Sequence, residues 1–318
     1  MEERKLLCSF ITPMFSYGAY KKIPEFRTAQ VKGIMRYVYR IVCPWQTHIL
    51  KKNEGILFGE ASDGTGHASP VRLVAAEGRR REENSMPLLL HDEKKGYNPP
   101  MKFLKEGTVL LSVKVKPGLG EEKNVIHQGA DVDWYADLAI LSLTLCGLGR
   151  RSRKGRGAIA VEKVKNMDLE QAKTWILDTL NRTAGMLSDR EGEPFYVLSD
   201  GVINSDFNTK KIRRPVIQKV WFGNRLSQEQ VMDFLKTVDK LCHDKLEKGW
   251  TDEAKATGYV ERNRRLASPL WISFMQVKGG IYPVYTCVKA FEEKKELDVK
   301  CIDREAFVAR LENKKERR

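Results

Sequence analysis

WYADLAILSLTLCGLGRRSRKGRGAIAVEKV, residues Trp134 to Val164, carries three kinds of sequence in succession. An apolar, helix-like run ends at Cys146, a glycine- and arginine-rich segment fills Gly147 to Gly157, and a short β-branched run follows from Ala158 to Val164. The middle segment holds four glycines (Gly147, Gly149, Gly155, Gly157) and five cations (Arg150, Arg151, Arg153, Lys154, Arg156). Glycine permits left-handed backbone and close approach, so such a loop can aim N–H groups and guanidinium forks at one anionic backbone. It is not a G-x-x-x-x-G-K-[ST] phosphate loop, because the spacing from Gly149 to Gly155 is wrong and Arg156 follows. Nor does it contain G-x-G-x-x-G. As a bare connection, the segment would be a flexible, solvated surface loop.

Working outward, Leu6 to Thr12 reads as a first strand broken by Pro13. Thr28 to Val42 has Val31, Ile34, Met35, Val38, Ile41 and Val42 on one helical face. Beside that stripe Lys32, Arg36 and Arg40 recur every four residues and project as one basic row. A strand-like run resumes at Val71 to Ala75, while Arg79 to Glu83 and the Pro/Lys-rich stretch up to Pro100 read as a loop or insertion. Alternation at Val109, Leu111, Val113 and Val115 marks a half-buried strand within Phe103 to Lys116. The order strand, helix, strand, strand, helix, strand is the ferredoxin-like split βαβ pattern, the layout of an RNA-recognition module.

Beyond it, Asp168 with Gln171 gives a capping-box start for a helix to Leu187, and Gly192 and Pro194 mark a boundary. Pro215 to Phe222 is a strand. Ser227 with Gln230 opens a helix to about Glu247. Leu270 to Val277 and Ile281 to Val288 flank Gly279-Gly280 as a hairpin, and a final helix starts at Asp303. The predicted class is α+β, with two tandem ferredoxin-like domains carrying insertions. The first covers residues 1–166 and holds the Gly/Arg loop; the second, more divergent one covers 167–318 and includes a linking helix.

The chain has 318 residues and a formal charge of +14, from 56 Lys+Arg against 42 Asp+Glu. That excess makes nucleic acid the leading partner class and an anionic membrane surface the second. No run of about 18 apolar residues is present, so a membrane span is not expected. MEERKLLCSFITP lacks the long apolar core of a signal peptide. Six cysteines, never spaced C-x-x-C, suggest buried thiols in a reducing compartment, and the cytoplasm is the expected location.

None of the histidines (His48, His67, His91, His127, His243) has metal-ligand spacing, and neither a metal nor another cofactor is expected. A metal-free ribonuclease needs only a general base and acid, a role open to His48 or His67. The carboxylate pairs Asp131/Asp133 and Glu82/Glu83 are explained by helix capping and solvation. Phe15, Tyr17, Phe26, Tyr37 and Tyr39 interleave with Arg27, Lys32, Arg36 and Arg40, a mixture suited to single-stranded RNA. Adjacent to the basic row on one helix, at least one of Tyr37 and Tyr39 must point away. The Arg262, Arg264, Arg265 cluster and the C-terminal KKERR read as solvated charge.

FITPMFSYGA (Phe10–Ala19), PEFRTAQVKGIMRYVYR (Pro24–Arg40), LFGEASDGTGHASPVRL (Leu57–Leu73) and GLGRRSRKGRG together resemble the RAMP superfamily. More narrowly they look like the first-numbered RAMP subunits of Cmr complexes, the type III-B CRISPR effectors. The match covers the first ~165 residues; the second half is similar chiefly at ASPLWISFMQVKGG (Ala267–Gly280). The resemblance implies a non-catalytic subunit of an RNA-guided, RNA-targeting complex, capping the assembly near the 3′ end of the guide RNA beside another RAMP subunit. It implies contacts to guide and/or target RNA from Arg27, Lys32, Arg36 and Arg40, and from the loop Gly147, Gly149, Arg150, Arg151, Arg153, Lys154, Gly155, Arg156 and Gly157. The rival reading is a metal-independent RAMP-type endoribonuclease that processes guide RNA with a histidine base.

Overall fold

The computed structural model describes residues 1–20, 22–61, 66–90, 99–116, 129–188, 193–243, 245–246, 249–250, 255–261, 264–289 and 301–313. Strand β1 (Glu2–Phe10) pairs antiparallel with β3 (Met101–Val115) on one side and β4 (Ile159–Val161) on the other. With β2 (Val71–Met86) on the far side of β3, the first sheet has the order β2-β3-β1-β4, the ferredoxin-like order expected from the sequence. Leu6, Cys8, Leu111, Val113 and Val115 form its buried face. Helix α1 (Thr28–Val42) occupies the predicted span and buries Val31, Met35, Val38 and Val42.

Three local expectations are corrected. The first strand begins at Glu2, because pairing of Glu2–Lys5 with Ser112–Val115 satisfies the backbone of an otherwise charged stretch. The Arg79–Glu83 segment is not a loop. It continues β2, paired to the start of β3 across register shifts at Glu77/Arg80 and Arg81/Glu82, which absorb the irregularity as bulges do. Helix α2 (Thr47–Phe58) was not anticipated: its apolar residues gather at the two ends around KKNEG, so no continuous helical stripe forms. Much of the Pro/Lys-rich stretch, His91 and His127, Arg262 and the KKERR tail lie outside the described residues.

Helix α3 (Val132–Leu145) starts at an Asp131 cap whose side chain accepts from the Trp134 N–H, and it is buried on nearly every side. An all-round apolar helix has to lie inside a protein, and this one packs against the first sheet, α1 and the second sheet. A one-turn helix α4 (Glu162–Lys165) follows β4. Helix α5 (Leu169–Gly185) then opens on the predicted Asp168–Gln171 capping box and packs Ala172, Ile176, Leu180 and Ala184 into the same core.

The second sheet comprises β5 (Tyr196–Ser199), β6 (Val202–Ser205), β7 (Ile217–Phe222), β12 (Leu270–Val277) and β13 (Gly280–Val288), in the order β12-β13-β7-β6-β5. Between β7 and β12 lie α6 (Gln228–Cys242), capped by Ser227–Gln230 as predicted, and two short ribbons. These are β8–β9 (Lys245–Leu246, Gly249–Trp250) and β10–β11 (Tyr259–Glu261, Arg264–Leu266). Strand β7, α6, the β12–β13 hairpin and α7 (Cys301–Asn313) make a β-α-β-β-α unit. The place beside β7 that a fourth strand would fill is taken by β6, from the hairpin upstream. Both faces of β12 are covered. Leu270, Ile272 and Phe274 join the cluster of α6 and α7, while Trp271, Met275 and Val277 join the core of the first unit. That double burial is why LWISFMQV reads as an uninterrupted apolar run.

Candidate nucleic-acid interface

The Gly/Arg loop is a fastening between the two sheets rather than a flexible surface connection. Its ends join where the Leu148 N–H donates to Gly157 O (2.8 Å), and Arg150 N–H and Gly157 N–H donate to Phe15 O and Pro13 O (both 2.9 Å). Its middle pairs with the edge of β12: Gly155 N–H donates to Ile272 O at 2.8 Å, and Ile272 N–H to Arg153 O at 3.1 Å. The glycines serve this close packing. Gly149, at φ +84, would place a Cβ 2.5 Å from Phe15 O, and Gly155, at φ +83, one 2.7 Å from the Leu235 side chain.

The loop's cations divide into two groups. Arg156 is fully buried and donates to Asp239 of α6 at 2.5 Å; Arg151 reaches the other Asp239 oxygen at 2.8 Å. The Leu90 N–H also donates to Asp239, at 2.8 Å. Lys154 lies against Thr257 (3.4 Å). Burial pushes both Lys154 and Arg156 below their ordinary pKa values. Of the five cations named from the sequence, Arg151, Lys154 and Arg156 make their contacts with the second unit. Gly147, Gly155 and Gly157 are buried, as is Arg156.

Arg150 and Arg153 form the other group. Arg150 is exposed, with its guanidinium 5.8 Å from the centre of the Tyr17 ring. Arg153 lies 4.9 Å from the ring of Tyr37 and 4.7 Å from that of Trp271, two rings that stack at 5.6 Å. Among the described residues it has no carboxylate partner. Aromatic faces hold a guanidinium without consuming its N–H donors, so Arg153 is pre-positioned with its donors unspent.

On α1, Lys32 donates to Val71 O at 3.0 Å and sits half-buried, which lowers its pKa, with Arg36 adding to the effect. Arg36 (2.7 Å) and Arg40 both pair with Glu54 of α2, whose side chain is 7% exposed. Burial pushes the Glu54 carboxyl up, but hydrogen bonds from Arg40 and Arg36 outweigh it and hold the group below its ordinary value. Arg27 donates to Tyr17 O at 3.1 Å and pairs with Glu25 at 3.2 Å. Tyr39 is the tyrosine that turns inward, fully buried; Tyr37 remains half-exposed beside Arg153.

At about 100° per residue, the exposed positions Ala29, Gly33 and Arg40 fall on one line along α1. Lys32 and Arg36 flank that line on one side, and Gln30 and Tyr37, with Arg153 on the Tyr37 ring, flank it on the other. The two basic elements expected from the sequence thus meet as two rims of one face of α1, a helix with no acid of its own, and Glu54 of α2 pairs with Arg36 and Arg40 at one rim. Gly33 is the low point: a Cβ built there meets nothing within 4 Å. Sequence reasoning missed Glu54, Trp271 and Asp239, each the partner of a named cation from a distant element. An acid deep in an apolar helix face, as at Asp239 between Leu235 and Leu241, was the available signal.

The Glu54 pairing sets a pH dependence. Its carboxyl pKa is lower folded than unfolded, so its stabilising contribution is complete above the ordinary carboxylate range and lost as pH falls through the folded value. Urea unfolding between about pH 3 and pH 6 should show a steeper acid-side loss for the native chain than for Glu54→Gln. Parallel curves would refute the pairing.

Of the histidines, His48 is exposed in the first turn of α2, and the backbone of His67 bridges to Glu60. Among the described residues, no group of three His, Cys, Asp or Glu side chains is placed to hold a metal ion, and no helix is long and apolar enough to cross a membrane. Cys8, Cys43, Cys146, Cys242 and Cys287 are free and buried, and burial pushes the Cys8 and Cys43 thiols up to about 12.

Two antiparallel sheets, the first in full ferredoxin-like order and the second an incomplete copy, define a two-unit, ferredoxin-like α+β fold. No protein-family profile and no curated protein sequence matches the chain. Solved structures do. A chain of the type III-B Cmr-beta complex bound to cognate target RNA and AMPPnP, in the presence of ssDNA, aligns with TM-score 0.54 and 12% identity over 96% of this chain and 99% of that one. A second, from Cmr-beta bound to cognate target RNA, gives TM-score 0.51 and 11% identity over 97% and 100%. The apo crystal structure of Cmr1 from Pyrococcus furiosus gives TM-score 0.49 and 15% identity over 94% and 91%. At 11 and 12% identity the likeness to the Cmr-beta chains is one of fold.

Proposed function

We propose that the chain is a non-catalytic, RNA-binding subunit of a type III-B CRISPR (Cmr) RNA-targeting complex. In this reading it caps the assembly near the 3′ end of the guide RNA, contacts guide and/or target RNA, and docks against neighbouring RAMP subunits. It divides into domains at residues 1–166 and 167–318, held together by the Gly/Arg loop. The observation that carries the proposal is the cation-rimmed face of α1, on a fold shared end to end with chains of the Cmr-beta complex. RNA phosphates would lie over Ala29 and Gly33, with Lys32, Arg36 and Arg40 on one side and Arg150 and Arg153 on the other; Arg27 flanks the Tyr17 end. Such contacts position a strand without reading its bases.

Gly33→Glu tests the track directly. The site is open, and replacing a mid-helix glycine should raise stability by roughly 0.5–1 kcal/mol. A carboxylate at the floor should nonetheless weaken single-stranded RNA binding about tenfold or more, as read by fluorescence anisotropy. Undiminished RNA affinity in a folded Gly33→Glu chain would remove α1 from the interface. Crosslinking with mass spectrometry supplies the positive arm: peptides from Thr28–Arg40 and from Gly147–Arg153 should both carry RNA adducts.

A further inference from the structure

NTKKIRRP, Asn208 to Pro215, holds four cations and no acid in eight residues, and nothing described above uses it. It connects β6 to β7 through a single 3₁₀ turn at Thr209–Lys211, where the Asn208 side chain accepts from the Lys210 N–H at 3.0 Å. Two cations fasten it from beneath. Lys289, 8% exposed, donates to Ile212 O at 2.8 Å and Thr209 O at 3.1 Å. Arg214 donates to Arg40 O and Cys43 O (both 2.6 Å) and to Trp45 O (2.7 Å), gathering carbonyls at the C-terminal end of α1. A helix end leaves such acceptors unsatisfied, so this clamp ties the loop to α1.

The remaining cations, Lys210, Lys211 and Arg213, are exposed, and none of their side chains makes a hydrogen bond or ion pair among the described residues. Within this short loop their like charges are not offset by a paired carboxylate. The loop therefore presents a fixed positive patch whose repulsion a polyanion relieves. The patch continues the α1 face: Arg214 touches the backbone of Arg40, the last exposed cation of the track, and Lys210 lies at most ~14 Å of extended chain beyond it.

We propose that Lys210, Lys211 and Arg213 form a second phosphate-binding patch that carries the RNA track from α1 into the second unit. This rests on the RNA-binding reading above. The continuity with Arg40, the last cation of the α1 track, favours RNA over an acidic protein surface.

The test uses the full chain, a labelled oligouridylate and a salt titration of its affinity. The variant Lys210→Gln/Lys211→Gln/Arg213→Gln should melt like the parent, because the three side chains have no partners to lose. Its log–log salt slope should be shallower by about 2, from about 0.7 per cation on single strands, with several-fold weaker binding at low salt. An unchanged slope and affinity would overturn the patch; it would leave the α1 track standing if Arg40→Gln/Arg150→Gln/Arg153→Gln still loses binding. Loss in the 210/211/213 variant alone would keep the patch and remove the α1 track. Salt-independent binding by the parent would overturn both.

Discussion

Asp239→Ala should destabilise the chain by about 3–5 kcal/mol, the range for removing one partner of a buried ion pair. Asp239 is fully buried and accepts from three groups that reach it from the first unit: Arg151, Arg156 and the Leu90 N–H. Arg156 is the critical one. Its guanidinium has no solvent exposure, and its Nε and one terminal nitrogen already lack partners, so the alanine variant leaves a charge with nowhere to go. Domain stabilities are typically ~5–15 kcal/mol, so urea unfolding should show a large fall in midpoint. Arg156→Met combined with Asp239→Leu should recover most of the loss, since replacing both members of a buried pair with apolar groups is often close to neutral. In Asp239→Ala, amide exchange should rise together in residues 87–90, in the Gly/Arg loop and along the β12 edge. A loss below about 1 kcal/mol, within the ordinary range for surface pairs, would mean the loop is not the fastening described.

The same contact explains how much of the molecule was legible in the sequence. Elements ruled by local chemistry were readable: the α1 stripe, the Asp168–Gln171 and Ser227–Gln230 capping boxes and the Gly279–Gly280 hairpin all form where spacing placed them. So did the βαββαβ order, because right strand and helix lengths in that order leave few topologies. Elements ruled by distant partners were not. The charged end of β2 is a strand because β3 supplies its backbone bonds, and α2 holds its place through Leu50, Leu57 and Phe58 in the core and through Glu54 against Arg36 and Arg40. The partners of the Gly/Arg loop were hidden for the same reason. Glycine and arginine side by side suggest a ligand loop, yet Gly155 and Arg156 have that composition because α6 and β12 press against them. Charge density in sequence counts cations; only the fold says which already have a carboxylate.

Sorting the cations by their partners sharpens what RNA binding should look like. Arg40, Arg150 and Arg153 are the cations along the α1 face whose loss leaves no fully buried partner stranded except the shared Glu54, which keeps Arg36. Arg40→Gln/Arg150→Gln/Arg153→Gln should therefore fold normally while its affinity for single-stranded RNA falls about 10- to 100-fold at low salt. The slope of log affinity against log salt should become shallower by about 2, since each cation on a single strand releases about 0.7 of a counterion. Arg151→Gln/Arg156→Gln makes the opposite prediction: those side chains face Asp239, so the pair should lose stability, and RNA affinity per folded molecule should hardly change. Arg153→Lys separates charge from geometry. Lysine keeps the charge but loses the planar guanidinium that lies against Tyr37 and Trp271, so it should restore the salt slope and only part of the affinity. Full restoration by lysine would show that the aromatic pair holds Arg153 for packing alone. If the triple variant instead binds RNA as the parent does, the face of α1 is a protein-docking surface, and its cations await acidic residues on a neighbouring subunit.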